Sequence, residues 1–241
     1  MPELLIHQLP DLLMDEIKER SDPEKAAWWN RYLKGEISFL GVGIPEIRKI
    51  LLEMDRERPF GQLPMNRQVS LVNKLMRGDF AEEKMAAILY VQLFWLDRMD
   101  RSFILDLVND WFDDRLIYDW NTTDWLCVRI LTPLVDSGDP EVLWKLKRWN
   151  RDPYLWKARA SLVAFAQATA LTGHAKNIEL FSDILIRRKE RFAKTAVGWV
   201  MREYSKHDPE FVLTFLRKHV KHTTSEVKRN ALKYYREEIR A

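Results

Sequence analysis

Along the whole chain apolar residues recur three to four positions apart, and the strict alternation of a half-buried strand is essentially absent, so the pattern predicts helices. Their starts are marked by Asp22-Pro23-Glu24, Ile44-Pro45-Glu46, Leu63-Pro64-Met65, Asp139-Pro140-Glu141 and Asp208-Pro209-Glu210. Proline fits a first turn, where no N–H is needed, and an acid there suits the positive end of the helix dipole. Periodicity and punctuation predict helices over 2–20, 24–34, 45–57, 65–77, 80–95, 101–114, 120–136, 140–149, 154–171, 177–189, 192–206, 209–220 and 225–237. Helix pairs spaced at roughly 30–40 residues fit degenerate HEAT-like repeats, although no identical repeat string occurs. The expected fold is all-α, an α-α superhelix of HEAT-like repeats forming one domain over residues 1–241. An ordinary bundle is the alternative. Short links between similar helices favour neighbour-on-neighbour stacking, which leaves a long concave cleft able to hold a duplex.

Composition narrows the classes. Hydrophobic residues are 46% of the chain and charged residues 31%, enough for a buried core and too apolar for wholesale disorder. No apolar run approaches the roughly 20 residues of a membrane span, and the first residues carry acids through a helical pattern instead of a basic-then-apolar signal. The expected place is the cytoplasm, beside the nucleoid in a bacterium, or the nucleus in a eukaryote. Cys127 is the only cysteine, which excludes an internal disulfide framework and a cysteine-rich zinc site and reads as a small buried helix residue. The five histidines form no His-Glu-x-x-His pattern, and His219 and His222, three apart, lack nearby carboxylates in the sequence, so neither metal nor cofactor is expected.

Charge is distributed unevenly. Net charge is +3, but residues 1–120 hold 16 basic and 22 acidic residues, or −6, while 121–241 hold 23 and 14, or +9. That asymmetry favours a polyanion surface formed mainly by the second half.

Two segments could carry chemistry. Within YDWNTTDWLCVRIL at 118–131, Trp120 and Asp124 are four apart and share one helix face. An aromatic plane beside a carboxylate suits a site that stabilises a cationic transition state; a core tryptophan and a salt-bridged aspartate fit the same spacing. Within AVGWVMREYSK at 196–206, Trp199, Arg202 and Lys206 follow one face in steps of three and four. Trp199 would line a cleft while the cations meet phosphates; equally, Trp199 is buried, Arg202 paired and Lys206 solvated. Arg187, Arg188, Lys189, Arg191 and Lys194 add local positive charge, and Arg159 follows Trp156 by three.

Several separated segments, in order, resemble the DNA alkylation repair family of AlkD-type DNA glycosylases over most of the chain. DPEKAAWWNRYLKGEISFLGVGIPEIRK at 22–49 is similar to the family's opening helix pair, including Tyr32 and the Leu-Gly-Val-x-x-Pro-x-x-Arg string ending at Arg48. Trp120 and Asp124 match the central tryptophan and aspartate, WKARASL at 156–162 supplies Arg159, and VGWVMREYSKHDPEFV at 197–212 supplies Trp199 and Arg202. The string Gly-Trp-Val-x-Arg-Glu-Tyr is the most specific match, and the final EVKRNALKYY also looks familial. Many members read Trp-Trp-Asp-x-Val-Asp at the centre, whereas this chain reads Asp119-Trp120-Asn121-Thr122-Thr123-Asp124, without the outer tryptophan and first aspartate. Gly43 and Ile44 replace polar residues often found before the first-motif proline.

The resemblance implies a monomeric glycosylase acting on duplex DNA, which releases cationic 3-alkyl and 7-alkyl purines without a base-specific pocket. It implies Asp124, Trp120 and Trp199 as catalytic residues. Arg159 and Arg202 would hold phosphates, joined by Tyr32, Arg48, Lys194, Lys206, Lys228 and Arg229. A catalytically silent DNA-binding member and a HEAT-like protein-interaction scaffold are the competing expectations.

Overall fold

The computed structural model describes residues 3–235. The helices are α1 (Glu3–Glu19), α2 (Pro23–Tyr32), α3 (Ile44–Glu57), α4 (Met65–Met76), α5 (Ala81–Phe94), α6 (Arg101–Asp113) and α7 (Trp120–Leu126), followed by α8 (Thr132–Asp136), α9 (Pro140–Trp149), α10 (Leu155–Val163), α11 (Ala175–Ile186), α12 (Arg191–Tyr204), α13 (Pro209–Lys218) and α14 (Ser225–Ala231). Among the described residues, extended pairing is confined to an isolated parallel bridge between Ser38 and Phe80. The fold is all-α, as expected.

The Asp-Pro-Glu signals act as caps. Asp22 accepts the N–H groups of Glu24 and Lys25 ahead of α2, Asp139 that of Glu141 ahead of α9, and Asp208 that of Phe211 ahead of α13, with proline in the first turn each time. Each such cap contributes about 1 kcal/mol by satisfying a donor that the helix leaves open.

Three boundaries differ from expectation. The helix expected over 120–136 is interrupted by a π-helical turn, Cys127–Leu131, just before Pro133. Proline at this position has no N–H for the Arg129 carbonyl four residues back and its ring crowds that oxygen, so the wider turn absorbs the mismatch. The helix expected over 154–171 ends at Val163. No proline stops it; instead the Thr132 hydroxyl donates to the Ala164 carbonyl at 2.8 Å, and Asp136 accepts from the Thr169 N–H at 2.8 Å and its hydroxyl at 3.0 Å. Side chains across the fold thus replace the bonds that a longer helix would make. The last helix ends at Ala231, and residues 236 and 237 of the expected span lie outside the described residues.

The chain divides into two compact units, residues 1–100 with 113–125, and residues 101–112 with 126–241. In the first, α5 is buried along nearly its whole length and packs against α3 and α4, whose amphipathic faces supply Ile47, Ile50, Leu51 and Met54, and Leu71, Val72, Leu75 and Met76. In the second, α10 is buried from Trp156 to Val163 and packs against α9, α11 and α12. A helix buried on all sides belongs at a centre, and one-sided helices wrap it.

Gly198, in the Gly-Trp-Val-x-Arg-Glu-Tyr string, marks a close approach of two helices. It lies where α12 meets α14, and a Cβ there would sit 3.3 Å from the Val227 Cα and 3.4 Å from the Asn230 Nδ2. The missing side chain lets the two backbones approach.

Candidate active site and nucleic-acid contacts

In the first unit the loop 38–42 is fastened to the start of α5. Ala81 donates its N–H to the Ser38 carbonyl at 2.9 Å, and the buried Glu82 carboxylate accepts three loop N–H groups, from Leu40 at 3.0 Å, Gly41 at 2.8 Å and Val42 at 3.1 Å. Burial pushes the Glu82 carboxyl above its ordinary range, although the three amides pull the other way. Gly41 has φ +87°, and a Cβ there would lie 2.2 Å from the Asp22 carbonyl oxygen, so only glycine fits. The Leu-Gly-Val string therefore sets the approach of the chain to α3. Arg48, on α3, donates to Gln92 Oε1 at 2.5 Å, within the unit.

Trp120 opens α7. The preceding Asp119 accepts the Thr122 N–H at 2.8 Å, and its carbonyl accepts the Thr123 hydroxyl at 2.7 Å, so the first turn carrying Trp120 is held from both ends of one residue. Asp119 is fully buried, and its second oxygen has no hydrogen-bond partner among the described residues. Burial pushes its carboxyl up. The nearby Lys84, also buried, donates to the Met76 carbonyl at 2.6 Å and lies 5.2 Å from the centre of the Tyr118 ring. Burial lowers the Lys84 ammonium below its ordinary value against the attraction of Asp119, Glu83 and Asp79.

Around Trp120 the structure assembles an aromatic group. Tyr32 meets it edge-on, with centroids 5.7 Å apart and planes at 81°. Trp29 stacks on Phe39 at 5.5 Å, and these two pack with Trp120 against buried Leu33, Ile37 and Ala81. Asp124 is half-buried on α7, one turn beyond Trp120. Tyr32 and Trp120 are thus brought together; Arg48 is engaged elsewhere in the unit.

In the second unit Trp199 is half-buried on α12. Arg202 is anchored by Glu203, whose Oε1 accepts at 2.9 and 2.7 Å, and by Asn230 at 3.3 Å. Lys206 pairs with the other oxygen of Glu203 and lies 4.7 Å from the centre of the Tyr234 ring. Burial would raise the Glu203 carboxyl, but the hydrogen bonds from Lys206 and Arg202 outweigh it and hold the group below its ordinary value. Lys228 and Arg229 are exposed on α14.

Two expected phosphate contacts have inward-facing roles. Arg159 is only 4% exposed, and its Nη1 donates to the Phe192 carbonyl at 2.7 Å and the Thr195 hydroxyl at 3.2 Å, tying α10 to the first turn of α12. The reason is its place on the central helix. Lys194 donates to the Ile186 carbonyl at 2.9 Å and the His222 carbonyl at 2.6 Å, which closes the end of α11 with a cation, as the helix dipole favours.

Sequence reasoning missed Glu82 and Asp119. Glu82 reads as an ordinary acid in a first turn, and nothing local reveals its inward course. Asp119 carried a signal, an aspartate directly before a helix whose third residue on offers its N–H. Among the described residues no group of three or more His, Cys, Asp or Glu side chains is placed to hold a metal ion, and no helix is long and apolar enough to cross a membrane.

These features define an all-helical protein in which aromatic rings from α2, a loop and α7 gather at the capped first turn of a helix that also carries Asp124. A family model for DNA alkylation repair enzymes matches residues 13–235, and the chain belongs to that family. Among solved structures, one described as a predicted DNA alkylation repair enzyme from Enterococcus faecalis is similar with a TM-score of 0.75, covering 89% of this chain and 96% of that chain at 18% identity, a likeness of fold. No curated protein matches the chain by sequence.

Proposed function

We propose that the protein is a DNA glycosylase that excises cationic 3-alkyl and 7-alkyl purines from duplex DNA without taking the base into a dedicated pocket. The observation that carries this reading is the capped first turn of α7, which holds Trp120 against Tyr32 with Asp124 one turn along, in a chain of the DNA alkylation repair family.

Alkylation at a ring nitrogen makes the base a good leaving group, so little protonation is required of the protein. As the C1′–N bond breaks, its electron pair leaves with the base, which departs neutral, and positive charge develops on the sugar. Asp124 stabilises that charge and takes the proton of the water that adds to C1′, leaving an abasic sugar. Trp120 offers a ring face to the developing cation. Lys228 and Arg229 are placed in solvent to meet phosphates, and Arg202 and Lys206 join them by exchanging Glu203 for a phosphate. Arg159 and Lys194 then act through backbone, by fixing the ends of α12 and α11.

The test is single-turnover release of an alkylated purine from duplex DNA at saturating protein. Asp124→Asn preserves shape and removes the charge; the rate is expected to fall about 100-fold or more, the scale of losing one transition-state stabiliser. An unchanged rate removes Asp124 from the mechanism. If the unaltered protein binds duplex DNA but releases no base, the reading becomes that of a silent DNA-binding member.

A further inference from the structure

Helix α2 carries an aromatic feature beyond the Tyr32 and Trp120 contact. Trp28, one turn before Tyr32, stacks on it with centroids 5.0 Å apart and planes within 14° of parallel. Both rings are about half open to solvent, at 50% and 55% exposure. They stand on a rigid floor: Trp29 meets Trp28 edge-on at 4.8 Å and belongs to the cluster around Leu33 and Ile37, while Asn30 accepts the Phe39 N–H at 3.1 Å and pins the following loop. Arg31 and Lys34, just before and two residues after Tyr32 in the chain, are exposed.

We infer that Trp28 and Tyr32 form a stacking platform for an unpaired nucleobase. The inference rests on the proposed action on DNA and extends it to the kind of DNA preferred. A flat pair of parallel rings is already ordered, so little side-chain freedom is lost when a third ring stacks on it. Exposed cations close to Tyr32 in the chain suit nearby phosphates, and every base has a π face, so the platform is indifferent to sequence. A paired base has both faces occupied by its neighbours in the stack; an unpaired one can turn outward. Tyr32, in contact with Trp120, makes the platform continuous with the helix that carries Asp124. The platform would therefore hold an unstacked nucleotide next to the reacting one and favour duplexes that are locally opened.

The experiment uses undamaged DNA, so catalysis does not enter. Affinities are measured by fluorescence anisotropy for a fully paired duplex, the same duplex with a one-nucleotide bulge, and the same bulge lacking its base. The bulged duplex is expected to bind about tenfold more tightly than the paired one, the scale of one base–aromatic stack, and the baseless bulge to lose that preference. Trp28→Ala is expected to bring the ratio of bulged to paired affinity to about one, and Trp28→Phe to restore most of it. Equal binding of bulged and paired duplexes by the unaltered protein overturns the platform while leaving the proposed function standing. A ratio retained in Trp28→Ala overturns it as well, as does a Trp28-dependent dimer in sedimentation, which would make a second copy the occupant. Absence of any duplex binding at low salt is the failure of the proposed function itself.

Discussion

The two central helices, α5 in the first unit and α10 in the second, are both buried nearly all round, and their buried charges differ: α5 carries an acid and a base, α10 two bases. On α5 the carboxylate of Glu82 gathers three loop amides, and Lys84 reaches the Met76 carbonyl beside Asp119. On α10 the buried polar residues are Lys157, Arg159 and Ser161; Lys157 lies 3.6 Å from Asp152, and Arg159 reaches the Phe192 carbonyl. Each half of the chain thus places some of its majority charge inside. The acidic half does so with Glu82 and Asp119, the basic half with Lys157 and Arg159. Charge counted along the sequence therefore overstates the charge at the surface, where Lys228 and Arg229 of α14 remain exposed.

The largest effect expected from this contrast concerns the glycines that permit close approach. In the first unit, Gly41→Ala combines a positive φ with a Cβ 2.2 Å from a backbone oxygen, in a loop that Glu82 clamps. A loss of about 3 kcal/mol or more is expected in urea unfolding, because neither the carbonyl nor the loop has room to move. In the second unit, Gly198→Ala meets its nearest atom at 3.3 Å from within a helix, and the gain in helix propensity offsets the crowding. A change within about 1 kcal/mol is expected there. Comparable losses for the two substitutions would mean that α12 and α14 are as rigidly held as the clamped loop.

A smaller effect is expected from Glu203, which holds two cations in place. Glu203→Gln removes the charge that holds Arg202 and Lys206. Duplex affinity is expected to rise severalfold at low salt, and log affinity against log salt to steepen by about one unit for each phosphate newly engaged. An unchanged slope would assign both cations to internal packing, alongside Arg159.

How much of this was legible in the sequence depended on range. Asp22, Asp139 and Asp208 announce their helices because a cap is completed within three residues. The end of α10 was not legible, since it is set by Thr132 and Asp136, more than 30 residues away in the chain. The same holds for the site. Trp120 and Asp124 share a face by spacing, but the meeting of Tyr32 with Trp120 joins residues 88 positions apart, which no local pattern reveals. Arg159 was expected at phosphates through the family likeness of WKARASL. Its fate was decided by α10 lying at a centre, which helices on every side determine.

The least perturbing test of the comparison is pH. In the first unit, burial raises the folded-state pKa of Glu82 and Asp119, so their contribution to stability is greatest in acid and declines as pH rises through the folded values. In the second, His219 is buried with its ring 4.4 Å from Phe215 and its Nε2 3.2 Å from Asp183. Burial lowers its pKa below the ordinary 6.5, against the attraction of Asp183 and together with repulsion from Arg187, Lys218 and His222. As pH falls, the unfolded chain takes up this proton first. The stability that His219 contributes is therefore present above about pH 6.5 and is lost as pH drops toward the folded value. The lowered carboxyls of Asp183, Glu190, Glu203 and Glu226 add loss of the same sign at still lower pH. Between pH 7 and 5, hydrogen exchange is expected to speed up in α11 and α13 relative to α3 and α5, and His219→Gln to reduce that difference. If exchange accelerates equally in both units, or first around α5, the buried carboxyls of the first unit are ionised at neutral pH and held by partners stronger than the amides and Lys84.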